Sequence, residues 1–147
     1  MIISWLRFHR AVIKLANNIK ADSFCPDVIV AVGTSGLIPA AMVAKHIACD
    51  DLQLIIIKSY EGRRRLTPRL IKQAISDISG KKVLCVDDII ASGMTRKLTE
   101  ATLRKFKPEV IKFAVPIVSK AVCRELPDYW GEEVMRSPND FIELPWD

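Results

Sequence analysis

The stretch that most constrains this chain is Lys82 to Thr95, KVLCVDDIIASGMT. Val83, Leu84, Cys85 and Val86 form an unbroken apolar run, the pattern of a strand buried on both faces in a parallel sheet. The run stops at two adjacent acids, Asp87 and Asp88, and a short loop of small and hydroxylic residues leads into a helical pattern. In open α/β sheets, ligands bind beyond the carboxyl ends of the strands. Loop amides and the hydroxyls of Ser92 and Thr95 at a helix N-terminus suit an anion. Adjacent carboxylates accept hydrogen bonds from sugar hydroxyls or hold Mg2+ through hard oxygen donors. Together these residues make a site for a sugar phosphate. The plainer reading is a strand-to-helix turn with solvated acids and a capping hydroxyl.

The rest of the chain supplies strands and helices in alternation. Trp5, Phe8, Val12, Leu15 and Ile19 recur at spacings of three and four, with Arg7, Arg10, Lys14 and Lys20 off the stripe. That spacing predicts an amphipathic helix packed on a sheet face, ended by Asp22 to Pro26. Val28 to Val32 is the first buried strand. Gly33-Thr34-Ser35-Gly36 follows, then a helix over Leu37 to Ala48 with Pro39 near its first turn, where proline is tolerated. A strand, a glycine-bracketed loop and a helix again cradle an anion. No Gly-Lys-Ser/Thr follows, and the third glycine of a dinucleotide fingerprint is missing, so this is neither a P-loop nor a dinucleotide site. Leu52 to Lys58 predicts a second buried strand. Ser59 to Arg65, SYEGRRR, is polar and reads either as a mobile lid or as a solvated loop. Thr67-Pro68 is expected to cap a helix running through Ile78. Arg96 to Phe106 predicts a helix and Val110 to Ile117 a strand, with Lys120 just past its end.

Composition excludes several classes. At 147 residues and 50% hydrophobic, the chain suits one domain with a single core. No apolar run reaches the roughly 18 residues of a membrane span. The N-terminus lacks a signal-peptide pattern, so a cytoplasmic protein with no membrane partner is expected. Cys25, Cys49, Cys85 and Cys123 show no paired spacing and read as reduced thiols, while His9 and His46 show no metal-ligand spacing. The net charge of +5 comes from 22 basic and 17 acidic residues. An excess this small suits an anionic small ligand, and without a recognised motif the Arg63-Arg64-Arg65 cluster does not make a nucleic-acid site.

The Val83 to Thr95 string also resembles the phosphoribosyl diphosphate (PRPP) signature of type I phosphoribosyltransferases: four hydrophobics, two acids, two hydrophobics, then a small loop ending Thr-Gly-x-Thr. The tail Phe141-Ile142-Glu143-Leu144-Pro145-Trp146-Asp147 is similar to the aromatic-Ile-x-x-Pro-Trp-acid ending of small xanthine-guanine and archaeal purine phosphoribosyltransferases. Ser59-Tyr60 matches the start of the flexible loop in the bacterial xanthine-guanine enzymes, and the resemblance implies a return strand after it as the alternative to the helix read from Thr67-Pro68. The resemblance implies a single α/β domain over residues 1–147, with a mainly parallel twisted sheet flanked by helices and a small C-terminal hood. It further implies transfer of phosphoribosyl from PRPP to a purine base, 6-oxopurines first, giving a nucleoside 5′-monophosphate and pyrophosphate. Mg2+ is the implied cofactor and a homo-oligomer the implied assembly.

The same resemblance assigns roles. Asp87 and Asp88 would hold the ribose hydroxyls and the metal, and Ala91, Ser92, Gly93, Met94 and Thr95 the 5′-phosphate. Gly33, Thr34, Ser35 and Gly36 would form the pyrophosphate loop, with Ser59, Tyr60, Arg63, Arg64 and Arg65 as the lid. Lys120, Phe141 and Ile142 would receive the purine, Lys120 at its C6 oxygen and Phe141 by stacking. Two positions depart from the family pattern. Ala91 stands where 6-oxopurine members usually carry Asp and adenine-specific members often carry Ala. Thr34 and Ser35 stand where Arg or Lys followed by Gly is usual. The alternatives are transfer to adenine or another base, and a sensor that binds PRPP or nucleotides without turnover.

Overall fold

The apolar runs Val28–Gly33 (β1) and Lys82–Val86 (β4) lie side by side at the centre of one parallel sheet, paired from Val28↔Val83 to Ala31↔Val86. Every residue of β1 is buried and only Lys82 of β4 is exposed, as expected for strands covered on both faces. The computed structural model describes residues 1–137 and 140–147. Before β1 comes the helix Trp5–Ala21 (α1). After it come the helix Leu37–Ile47 (α2) and the strands Leu52–Glu61 (β2) and Arg64–Ala74 (β3). Beyond β4 follow Ile89–Ile90 (β5), the helix Met94–Arg104 (α3), Val110–Val118 (β6) and Tyr129–Glu133 (β7). The order across the sheet is β3-β2-β1-β4-β6, and β5 and β7 also pair with β6. All pairs are parallel except β2 with β3.

The sheet has two apolar faces, each closed by helix. On one face the α1 stripe of Phe8, Ala11, Val12, Leu15 and Ile19 meets Ile29, Ala31, Leu84 and Ala114, together with Ala40 and Val43 of α2. On the other, Leu103 of α3 packs with Val28, Val30, Val83, Cys85 and Ile78. Ser4 caps α1, its Oγ accepting from the Arg7 amide at 3.3 Å. The four cysteines are free thiols, and burial pushes the Cys85 thiol far above its ordinary range. Among the described residues no helix is long and apolar enough to cross a membrane.

Two elements differ from expectation. Residues 64–74 are a strand, not the helix expected from Thr67-Pro68 to Ile78; they return antiparallel along β2, from Glu61↔Arg64 to Leu54↔Ala74. Pro68 is compatible with this because β3 is an edge strand and the register slips nearby, between Lys58 and Tyr60. Ser59 to Arg65 is accordingly the end of a hairpin, turned at Gly62 with φ +57°. The second difference is β7, which the sequence did not announce. It lies parallel to β6 beneath α1, where Arg7 pairs with Glu132 at 2.5 Å and the Asn18 side chain donates to the Trp130 carbonyl at 2.8 Å.

The tail is not a strand along the sheet edge. It is tied to the N-terminus, with the Ile3 amide donating to the Glu143 carbonyl and the Glu143 amide to the Met1 carbonyl, each at 2.9 Å. Ile142 and Leu144 point into the core, and Trp146 meets the Phe8 ring edge-on at 4.7 Å. Phe141, Ile142, Leu144 and Asp147 of this tail lie at the carboxyl edge of the strands and form the hood there, while β7 belongs to the sheet.

Candidate active site

The connection from β1 through α2 places β2 on one side of β1, whereas β4 and β6 lie on the other. Where strand order diverges in this way, the loops leaving the two central strands part and open a crevice at the carboxyl edge. Here those loops are Gly33 to Gly36 after β1 and Asp87 to Gly93 after β4. They touch at Gly36, where an added Cβ would lie 2.3 Å from the Val32 carbonyl oxygen and 2.7 Å from that of Val86. Only a residue without a side chain fits there. The Gly33–Thr34 peptide is cis.

A cavity of about 710 Å³ fills this crevice. Its floor includes Gly33, Thr34 and Ser35 and the segment from Asp87 through Gly93 with Thr95. Lys58, Ser59, Tyr60, Arg65 and Arg69 of the hairpin form one wall, and Arg136, Phe141, Ile142, Leu144 and Asp147 of the hood form another.

The two acids interrupt a strand. β5 continues the register of β4 along β6, from Val86↔Ala114 to Ile89↔Ile117. In the gap, Asp87 Oδ1 accepts from the Asp88 amide at 2.8 Å, and Asp88 Oδ1 accepts from the Ile89 amide at 2.7 Å. Each carboxylate thus takes a backbone donor and keeps its second oxygen. Burial and the neighbouring charge of Asp88 hold the Asp87 carboxyl well above the usual carboxylate range; burial also raises Asp88, with a smaller lift from Asp147. Among the described residues no Lys or Arg is ion-paired with either acid. A pair of crowded, uncompensated carboxylates favours a cation or a proton between them.

The loop that follows suits an anion. Gly93 adopts φ +80° and precedes α3, whose first turn carries no acidic residue and no side-chain cap on Gly93. The Ser92 hydroxyl lies 3.4 Å from the Met94 amide. The amides at this helix start, together with the Ser92 and Thr95 hydroxyls, form a set of donors suited to an anion.

Most residues singled out from sequence line this one cavity, but some do not. Met94 is exposed and Gly36 is buried beneath its loop, and neither lines it. Arg64 lies outside, and Arg63 stands 5.5 Å over the Phe141 ring. Lys120 is also outside; its Nζ is 2.7 Å from Glu133 and 5.2 Å from the Trp130 ring centroid. Sequence reasoning did not pick out Lys58, Arg96, Arg136 and Asp147 as lining residues. Arg96 is held by the Leu126 carbonyl at 2.6 Å and by Asp128 at 3.8 Å. No spacing in the sequence marks these side chains, since they reach the crevice only through the hairpin, α3 and the hood.

Comparison with known proteins agrees with this geometry. The family model described as the phosphoribosyl transferase domain matches residues 1–147. The xanthine-guanine phosphoribosyltransferase of Chromohalobacter salexigens is 31% identical over 145 residues, which are 99% of this chain and 82% of the relative. The crystal structure of a purine phosphoribosyltransferase from Pyrococcus horikoshii superposes with a TM-score of 0.81 at 27% identity, covering 100% of this chain and 93% of that one. A hypoxanthine-guanine phosphoribosyltransferase of Bacillus anthracis gives 0.77 at 28% identity, covering 95% and 84%.

Proposed function

The chain belongs to the phosphoribosyl transferase domain family and is an enzyme of that class, and we propose that it transfers phosphoribosyl from PRPP to a purine base, 6-oxopurines first. The products are a nucleoside 5′-monophosphate and pyrophosphate. The observation that carries this reading is one cavity holding the two acids, the donor-rich loop of α3 and the aromatic Phe141. A sugar bis-phosphate meets carboxylates and amides there, and a flat base meets a π face. The relatives' names give the purine class its support.

The donor set also fits Mg2+. Among the described residues, Asp87 and Asp88 offer hard oxygens that lack a cationic partner, and no cluster of three or more His, Cys, Asp or Glu side chains surrounds them. Mg2+ is commonly held by one or two carboxylates, with substrate phosphates and waters completing its shell. When bound, it would neutralise charge on the pyrophosphate and orient it.

The chain's own residues would do the remainder. Asp87 and Asp88 accept hydrogen bonds from the ribose hydroxyls. The amides of Ala91 to Thr95 and the hydroxyls of Ser92 and Thr95 seat the 5′-phosphate at the start of α3. Arg65 and Arg69 face the charge that grows on the leaving pyrophosphate, beside the Gly33 to Gly36 loop. Phe141 stacks on the base, and the backbone of Ile142 meets its edge. Ala91 offers no group to take the purine N7 proton, so water or another group would accept it as the bond to N9 forms. Positioning and fixed charge supply most of the rate. We extend the proposal to a single cytoplasmic domain that assembles as a homo-oligomer, through the exposed Ile2, Trp5 and Leu6 at the start of α1; a monomeric mass in sedimentation would remove that last point.

Asp88→Asn tests the core of the reading. Mg2+-dependent PRPP turnover should fall by about 10²-fold or more, as when charge stabilisation at a reacting centre is removed. Unchanged kinetics would take the paired acids out of the mechanism.

A further inference from the structure

The hood residues proposed to meet the base stand on no element of their own. The last strand ends at Glu133, and residues 141–147 belong to no named helix or strand. Their position is set by the first residues of the chain. The Met1 nitrogen donates to the Phe141 carbonyl, the Glu143 amide to the Met1 carbonyl, and the Ile3 amide to the Glu143 carbonyl, each at 2.9 Å. These bonds make a short parallel ladder around the Ile2↔Glu143 bridge. Ile3 is 1% exposed and anchors the ladder in the same apolar cluster as Ile142 and Leu144.

The register of that ladder decides which atoms face the cavity. Along an extended segment, side chains alternate between faces and backbone polar groups between edges. Ile142 and Leu144 are buried in the core, and Phe141 is turned out to line the cavity. The Phe141 carbonyl and both backbone groups of Glu143 are bonded to residues 1–3, so the N–H and C=O of Ile142 fall on the other edge. Among the described residues neither group of Ile142 has a hydrogen-bond partner, and Ile142 lines the cavity. A slip of one residue would send Phe141 toward the core and spend the Ile142 backbone on the ladder.

We infer that residues 1–3 lock the register of the hood, with Ile3 as a positioning residue that holds the Phe141 ring and the Ile142 backbone toward the base. This deepens the purine-transfer reading and rests on it for the identity of the ligand. The loops after β1 and β4, proposed to hold the phosphates, take no part in the ladder, so the lock acts on the base alone.

The test compares the unaltered protein with Ile3→Pro and Ile3→Ala. Both shorten the buried side chain, and only proline also lacks the N–H that bonds Glu143. Equilibrium binding of IMP and of ribose 5-phosphate is measured beside melting temperature and KM for hypoxanthine and for PRPP. The ratio of the two affinities reports the base end without turnover. Ile3→Pro should lower that ratio and raise KM for hypoxanthine about threefold to tenfold, the size of one ordinary hydrogen bond. Ribose 5-phosphate affinity and KM for PRPP should stay unchanged. Ile3→Ala should lower the melting temperature comparably and leave the ratio alone. Equal falls in the ratio for both variants would give Ile3 a packing role only and overturn the lock, as would an unchanged ratio in Ile3→Pro. If Ile3→Pro does not fold, hydrogen exchange in the unaltered protein decides. The Ile3 and Glu143 amides should be protected, and the Ile142 amide should exchange fast and slow when IMP binds. A fast Glu143 amide, or an Ile142 amide protected without ligand, overturns the inference. A lowered ratio in Ile3→Pro with no base turnover in any form would uphold the lock and remove the transferase reading. Base turnover with an unchanged ratio would do the reverse, and an unaltered protein that binds IMP no tighter than ribose 5-phosphate would remove both the lock and the base from the hood.

Discussion

Asp87 and Asp88 carry the strongest sequence signal because their setting is local: a buried strand must end, and what ends it is charged. The structure adds that each carboxylate accepts the next backbone amide, which no pattern of residue types reveals. Ala91 sits between these acids and Ser92 on the cavity floor. If proton handling at the base limits the rate, Ala91→Asp should raise kcat for hypoxanthine toward the about 10²–10⁴-fold that general acid–base groups supply. Single-turnover kinetics would check this, and no rise would point to water or another acceptor. Phe141 was readable from its tail motif, whereas Arg136 was not. Its segment has no periodicity, and only the path of the hood brings it to the cavity.

At the scale of elements, α1, β1, α2, β4, α3 and β6 were legible because each has a continuous apolar run or a helical stripe. β3 was not, since its residues are mostly exposed and its pairing along β2 outweighs the helical cap suggested by Thr67-Pro68. β7 failed for a different reason: YWGEE has no alternation, and α1 rather than a second layer of sheet covers it. Gly131 is its packing point, where an added Cβ would lie 2.0 Å from the Ala11 carbonyl oxygen and 2.8 Å from that of Pro116. Gly131→Ala should cost about 1–3 kcal/mol or more through overpacking, read as a lower denaturation midpoint with PRPP affinity retained if refolding succeeds. The other end of α1 is joined to the same region by Asp22, which accepts from the Tyr129 hydroxyl and from Lys112 at 3.4 Å. Those bonds hold the Asp22 carboxyl below its ordinary value of 3.8. A depressed folded pKa contributes stability above the unfolded value and loses it as pH falls through the folded one. Asp22→Asn should therefore flatten the stability curve below about pH 4 and leave its slope near neutrality alone. The effect should shrink at high salt because Asp22 is largely exposed. An acid limb that keeps its slope would contradict the assignment.

For the whole molecule, the divergence of strand order around β1 and β4 decides where chemistry is placed. Both loops end at one edge, Gly36 lets them touch, and the hairpin from the middle of the chain and the hood from its end enclose the space. Sequence order conveys the parallel sheet and its ligand edge. It does not convey which cations the tertiary path delivers there: Arg136 lines the cavity and Lys120 does not. The most direct test is pyrophosphate release from PRPP and Mg2+ with hypoxanthine, guanine, xanthine and adenine offered one at a time. Release that depends on the base and is fastest with an oxopurine is the predicted result. PRPP binding with no release for any purine would contradict purine transfer and leave a cavity that only binds.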